Sequence, residues 1–311
     1  MVKKNKGSEI RKDYFLDRYV IITPKRGKRP RDIKEETKID FISSCPFCPK
    51  NVENNLVKAT YSPGKKWLVN VLQNKYPALT SDNPKAYGYQ EVVIETPDHK
   101  KEMGDLPISH IQEIIDVYAD RTNELTNDEK IEYILVFKNY GGKAGASIHH
   151  SHSQIFASEL LPPDVLDELT KAHQYQTLNG ICPYCQTIKD EQGGPRQVYS
   201  DKNIIAFCPY ASAFHYEVWI FPRRHPDNIT ELSKEERKSF AKALKKIIGR
   251  LNQYNISYNY FLHQVINDPD QHFFLKIQPR ESIWAGVELG SGLVINSVPP
   301  EQAAKFYNQQ D

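Results

Sequence analysis

Two cysteine pairs, each followed at similar intervals by two histidines, constrain this chain more than any other feature. Cys45-Pro-Phe-Cys48 is followed by His99 and His150, and Cys182-Pro-Tyr-Cys185 by His225 and His272. The steps from the second cysteine are 51 and 51 residues in the first case and 40 and 47 in the second. Such recurrence marks an internal repeat. Two thiolates and two neutral imidazoles suit a tetrahedral Zn²⁺, and four protein ligands leave no open position. The repeat therefore predicts two structural zinc sites, one from Cys45, Cys48, His99 and His150, the other from Cys182, Cys185, His225 and His272. Each metal could contribute on the order of 10 kcal/mol to the folding of its half. The alternative, a zinc ribbon in which both C-x-x-C pairs share one metal, needs about 15–20 residues between the pairs. Here the pairs lie in different halves.

The segments between these ligands also repeat. Residues 91–99 (EVVIETPDH) and 217–225 (EVWIFPRRH) align without a gap, with matches at Glu, Val, Ile and His. A helix signal follows each: Ser109 with Gln112, and Ser233 with Glu236, read as capping boxes. Behind them Ile111, Ile114, Ile115 and Tyr118, then Phe240, Leu244, Ile247, Ile248 and Leu251, recur at helical spacing as core faces. Strands rich in aromatic and β-branched residues come next, over 131–137 and 257–265, and each unit closes with a strand holding its last histidine. The fold class is α+β, a tandem duplicated unit of antiparallel sheets with flanking helices. Pro162-Pro163 places the break, giving halves 1–160 and 161–311, and a short helix over 164–173 opens the second. A further helix-like segment covers 300–307.

The halves differ at one stretch. Residues 139–154 read NYGGKAGASIHHSHSQ. On a strand, residues two apart share a face, so His150, His152 and Gln154 face one way and His149, Ser151 and Ser153 the other. An imidazole can attack phosphorus, a carboxamide can donate to a phosphoryl oxygen, and a Gly-rich loop offers backbone N–H groups. The second half has Phe274 and Lys276 in the positions of His152 and Gln154, and no Gly-rich loop. One half is expected to be catalytic, and the other to support or complete the pocket.

Composition narrows the field. A net charge of +2 gives no argument for nucleic acid or an anionic membrane. No apolar run approaches the length of a membrane span. The basic N-terminus has no apolar stretch behind it, so it does not read as a signal peptide. A cytoplasmic protein is expected, in which C-x-x-C pairs bind metal or act in redox chemistry. The fifth cysteine, Cys208, reads as a small buried hydrophobe.

These motifs together resemble the galactose-1-phosphate uridylyltransferase family, the nucleotidyltransferase branch of the histidine-triad superfamily. The resemblance covers nearly the whole chain: ITPKRGKRP with Arg26 and Arg29, CPFC, NKYPAL from Asn74, TPDH ending in His99, the 139–154 stretch, and Gly286-Val287-Glu288. It implies a histidine-triad-like unit in each half. It implies that His152 is the nucleophile, which takes a nucleotidyl group from a nucleotide sugar and passes it to a sugar 1-phosphate with ping-pong kinetics. Gln154 would hold a phosphoryl oxygen, and Asn139 and Ser147 would contact the phosphates. Arg26 and Arg29 would lie near the nucleotide, Asn74 at the nucleoside and Glu288 at the sugar. The expected reaction moves UMP between UDP-glucose and galactose 1-phosphate, in a homodimer whose partner lends residues to the site. Residues 289–292 (LGSG) look more like relatives acting on ADP-sugars, which keeps an ADP-sugar phosphorylase as the alternative. A zinc-stabilised nucleotide-binding protein is the non-enzymatic alternative. Gln154 cannot titrate, which favours transfer to a phosphate over hydrolysis.

Overall fold

A computed structural model describes residues 8–24, 45–62, 64, 66–266 and 268–309. In chain order the first half contains β1 (Glu9–Lys12), β2 (Tyr19–Ile22), β3 (Val57–Tyr61), β4 (Val69–Gln73), β5 (Gly88–Ile94), α1 (Ile108–Leu125), β6 (Tyr133–Tyr140) and β7 (His152–Ser158). After them come α2 (Pro163–Asn179), α3 (Pro183–Glu191), β8 (Gln197–Ser200), β9 (Ile204–Phe207), β10 (Val218–Pro222), α4 (Lys234–Gln253), β11 (Tyr258–His263) and β12 (Phe274–Pro279). The chain closes with α5 (Gly286–Ser291), β13 (Val294–Asn296) and α6 (Pro300–Asn308).

Ten strands form one sheet in the order β3-β4-β5-β7-β6-β11-β12-β10-β9-β8. Read inward from either edge, the connectivity is the same, as a duplicated unit requires. The antiparallel sheets expected of the two halves are fused through β6 and β11, from Tyr140 opposite Tyr258 to Phe137 opposite Phe261. A second, three-stranded sheet ties both ends of the chain together, with β13 parallel to β2.

The two faces of the large sheet are covered differently. Helices α1 and α4 pack on one face, and Ile111, Ile114, Ile115, Tyr118, Phe240, Leu244, Ile247 and Ile248 join Val93, Val136, Ile155, Ile220 and Ile277 in the main core. Cys208 is fully buried in that cluster, as expected. On the opposite face α2 and α3 cover the second half, packing Ala172, Tyr184 and Ile188 on Phe207, Trp219, Phe221 and Phe274.

Local signals held in part. Ser233 Oγ accepts from the Glu236 N–H and Glu236 returns a bond to Ser233 N, the predicted box. The box expected at Ser109 does not form; α1 starts after Pro107, whose carbonyl takes the N–H groups of His110 and Ile111. Proline's fixed φ supports that earlier start, and Ser109 becomes the second helical residue. The helix expected over 164–173 runs on to Asn179, where Gly180 ends it in the left-handed region at φ 68°.

The gapless repeat needs correction. Ile94 pairs with His152, but Ile220 pairs with Leu275, one residue beyond Phe274. Val92 and Ile94 pack with the cysteine side of the first half, whereas Val218 and Ile220 join the helix-side core. The matched residues thus point to opposite faces, because a one-residue slip inverts a strand. The true counterparts of Val92 and Ile94 are Trp219 and Phe221, and the first half carries one extra residue before its histidine.

Candidate active site and metal centres

Each cysteine pair meets its own two histidines. Among the described residues, Cys45, Cys48, His99 and His150 form one group, and Cys182, Cys185, His225 and His272 another, with the ligand atoms of each group within 4.8 Å of one another. Cys48 Sγ lies 3.3 Å from His99 Nδ1 and 3.7 Å from His150 Nδ1, and Cys45 Sγ lies 3.6 Å from His150 Nδ1. In the second group Cys185 Sγ is 3.3 Å from His225 Nδ1 and 3.5 Å from His272 Nδ1. These are the edges of a tetrahedron about a metal bonded at ordinary Zn–S and Zn–N lengths. The opposite ring nitrogens meet backbone carbonyls: His150 Nε2 at Thr96 (2.7 Å), His225 at Gln271 (3.0 Å) and His272 at Pro222 (3.1 Å). A carbonyl only accepts, so it fixes the proton on Nε2 and leaves Nδ1 free to bind metal. Both groups can therefore hold metal ions, and the shared-ribbon alternative is ruled out by the separate pairing.

The first Cys/His group and His152 are linked through three residues of backbone. His150 lies just before β7 and His152 begins it. Both rings approach Phe47 of the first cysteine pair, with centroids 6.3 and 5.0 Å away. The two histidines thus share a side, as alternation predicts. His149 departs from it: it precedes the strand, and its ring stacks on His99 at 6.2 Å instead of joining Ser151 and Ser153. His152 Nδ1 donates to the His150 carbonyl at 2.8 Å, the fixed acceptor a nucleophilic imidazole needs. Burial, with the charge of Lys138 behind it, pushes His152 down to about 4, so the ring is neutral at neutral pH.

A cleft of about 810 Å³ opens here, lined by His150, His152, Asn139, Ser147 and the glycine loop among others. Gly141 (φ 79°) and Gly145 (φ 81°) adopt a conformation that side chains resist. A Cβ on Gly141 would lie 2.2 Å from Ser257 Oγ, so the loop also packs tightly against the second half. Gln154 is half-buried, on the His152 side of β7 and opposite Val92. Asn139 Oδ1 accepts from Asn259, which bonds the Ala144 carbonyl and steadies the loop.

Other predicted contacts lie apart. Asn74 follows β4, bonded to Gln90 O, level with Phe156 and farther along the sheet than Gln154. It does not line the cleft. Glu288 sits on α5, its carboxylate capping Ala285 N, also outside the cleft of its own chain. Arg26 and Arg29 lie outside the described residues.

Sequence reasoning missed what stands behind His152. On the helix side, Lys138 Nζ donates to Glu95 (2.6 Å), Ser151 Oγ (2.8 Å) and the His152 carbonyl (3.4 Å), and lies 3.3 Å from Glu102. Ser151 Oγ lies 2.6 Å from Glu95 and 2.9 Å from Glu102. One hydroxyl proton serves one carboxylate. Ser151 can therefore donate to only one of the two at a time. Burial raises Glu102, while Lys138 outweighs burial at Glu95 and holds it low. Tyr118 extends the network to Ser153 and Tyr260, 2.7 Å from each. The one available signal was parity: Lys138, Ser151 and Ser153 fall on the helix-side face, where a buried charge needs partners.

Residues 1–162 match the family model described as galactose-1-phosphate uridyl transferase, N-terminal domain. An ADP-glucose phosphorylase from Arabidopsis thaliana is 32% identical, covering 98% of this chain and 94% of the relative. A galactose-1-phosphate uridylyltransferase from Thermotoga maritima is 30% identical, covering 96% of each. The crystal structure of an Arabidopsis thaliana ADP-glucose phosphorylase with bound ADP-glucose superposes with a TM-score of 0.86 at 30% identity, over 98% of this chain and 100% of that one. A uridylyltransferase structure gives 0.78 at 30% identity, over 96% and 97%. With its two Cys/His groups and the strand that begins at His152, this chain belongs to the galactose-1-phosphate uridylyltransferase family.

Proposed function

We propose that this enzyme moves a UMP group between UDP-glucose and a hexose 1-phosphate, galactose 1-phosphate, through a covalent nucleotidyl-His152. The observation that carries this is the hydrogen bond from His152 Nδ1 to the His150 carbonyl, in a ring that lines the cleft. It leaves Nε2 with its lone pair toward the substrate. Nε2 bonds to the α-phosphorus as the bond to the bridging oxygen breaks, and the electron pair leaves with glucose 1-phosphate. The Nδ1 proton stays on the ring, and the carbonyl offsets its growing positive charge. Galactose 1-phosphate then attacks the same phosphorus and expels Nε2. Gln154, Asn139 and Ser147 donate to phosphoryl oxygens, Asn74 contacts the nucleoside, and Arg26 and Arg29 approach the nucleotide.

Residues 1–160 form the catalytic half, and 161–311 a metal-binding half without a nucleophile. Zinc is the metal we assign to both groups, held by Cys45, Cys48, His99 and His150 and by Cys182, Cys185, His225 and His272; when bound it clamps each ligand set as a structural ion. The five free cysteines suit the cytoplasm. A homodimer completes the site: Glu288 belongs to an exposed arm, beside Ile283 (80% exposed) and Leu289 (76% exposed), and reaches the sugar in the cleft of a second copy.

A second reading, AMP transfer from an ADP-sugar, has support from the Arabidopsis relative and its structure with bound ADP-glucose. Incubation with labelled UDP-glucose or ADP-glucose, then acid-free denaturation and peptide mapping, separates the two. The uridylyl label is expected on the His152 peptide and absent from His152→Ala. Label from ADP-glucose alone selects the second reading, and no label from either rejects both.

A further inference from the structure

We infer that Arg280 is the phosphate anchor for the sugar 1-phosphate that leaves and enters the cleft, which rests on the nucleotidyl-transfer reading above. Arg280 follows β12 in the second half, yet it lines the cleft that contains His152. Its backbone N–H donates to the Ser257 carbonyl at 2.7 Å, and Ser257 is the residue against which Gly141 packs. The arginine is therefore fixed to the base of the phosphate loop.

Its charge is available. Arg11, Arg121, Arg196 and Arg237 each bond a carboxylate. The Arg280 guanidinium instead rests over the Phe214 ring, 5.2 Å from its centroid, and among the described residues it has no ion pair or side-chain hydrogen bond. That contact orients the planar fork while leaving its N–H groups unused. Two other cations line the cleft: Lys138, buried between Glu95 and Glu102, and Lys143 of the glycine loop.

Position identifies which phosphate it holds. Along β7 the order is His152, Gln154, Phe156, and Asn74 lies level with the last of these. The glycine loop, Ser257 and Arg280 lie in the opposite direction, past the ends of β6 and β12. A nucleoside toward Asn74 and an α-phosphorus at His152 put the second phosphoryl group on the Arg280 side. As Nε2 bonds to phosphorus and the bridging bond breaks, negative charge moves onto that group. A bidentate guanidinium there stabilises the transition state more than the bound donor.

The test uses the full-length protein. Inorganic phosphate binding is measured by calorimetry, and KM for galactose 1-phosphate by steady-state assay. Arg280→Ala is expected to weaken phosphate binding and raise that KM by about ten- to a hundredfold. Added methylguanidine should partly restore both, a response that a purely structural arginine would not give. Where Arg280→Ala does not fold, Arg280→Lys keeps the charge and the contact with Phe214 but loses the fork, and the same losses are expected at smaller size. Unchanged phosphate affinity in a folded variant overturns the proposal. The calorimetry needs no turnover, so a wild-type protein that forms no His152 adduct would reject the nucleotidyl-transfer reading while the phosphate result still judges Arg280.

Discussion

His152 is held from two directions. Its ring is tied by Nδ1 to the carbonyl of His150, whose own ring lies in the first Cys/His group. Its backbone carbonyl and its neighbour Ser151 are tied to Lys138 on the other face of the sheet. As the proposed nucleophile it tolerates little displacement, since misplacement by about 1 Å can cost about a hundredfold in rate. Ser151→Ala should therefore lower the rate of adduct formation while leaving nucleotide affinity nearly unchanged. It should also cost about 1–3 kcal/mol of stability, because Glu95 and Glu102 lose a shared partner in a buried site. Single-turnover labelling and urea unfolding measure the two effects. A rate equal to wild type would remove Ser151 from the positioning role.

The loop after β6 and the helix α2 show how short segments are specialised in each half. In the first half Gly141 lets the loop approach Ser257. Gly141→Ala is expected to cost at least 1 kcal/mol from backbone strain at a positive φ, and to reduce phosphate binding through displacement of the loop. Ser257→Gly in the same chain should recover part of the binding by relieving the clash, which calorimetry would detect. In the second half α2 fills the corresponding face. Glu168 accepts from Tyr184 (2.8 Å), lies 3.1 Å from His263, and reaches Lys276, the residue in the position of Gln154. Burial opposes ionisation of Glu168, but His263 and Lys276 outweigh it and hold the carboxylate well below its usual range. A depressed carboxylate stabilises the fold above its unfolded pKa, and that stability is lost as pH falls through the native one. Glu168→Gln should thus be destabilised by about 3 kcal/mol above roughly pH 5. The deficit should shrink toward acid pH. Denaturation series at several pH values would show a constant difference if this assignment is wrong.

Fusion of both halves into one sheet makes their stabilities interdependent. Metal analysis is expected to find two zinc ions per chain and one in Cys182→Ser. Chelation should remove on the order of 10 kcal/mol per site from the folded state. Because β6 and β11 pair across the join, loss of the second metal should also lower labelling of His152, although the ligand changed, Cys182, lies in the other half of the chain. The proposed dimer makes a prediction of the same size class. Mixing inactive His152→Ala with inactive Glu288→Ala should restore part of the activity, because one hybrid cleft contains both native residues. No recovery, in protein shown by light scattering to be dimeric, would place Glu288 outside the partner's cleft. Among the described residues no helix is long and apolar enough to cross a membrane.

The membership of both Cys/His groups and the duplication were legible in the amino-acid order, because coordination chemistry restricts residue type and repeats preserve spacing. The helix stripes of α1 and α4 were legible for a similar reason: a period of 3.6 is a local property. Strand pairing is not local. The match of Val92 with Val218 and Ile94 with Ile220 looked sound in one dimension, yet it joined residues on opposite faces, since only hydrogen-bonded neighbours set the register. Glu95, Lys138 and Arg280 carried no motif at all. Their roles come from charge brought near His152 by chain folding, and electrostatic interaction depends on distance and burial, which sequence separation does not record.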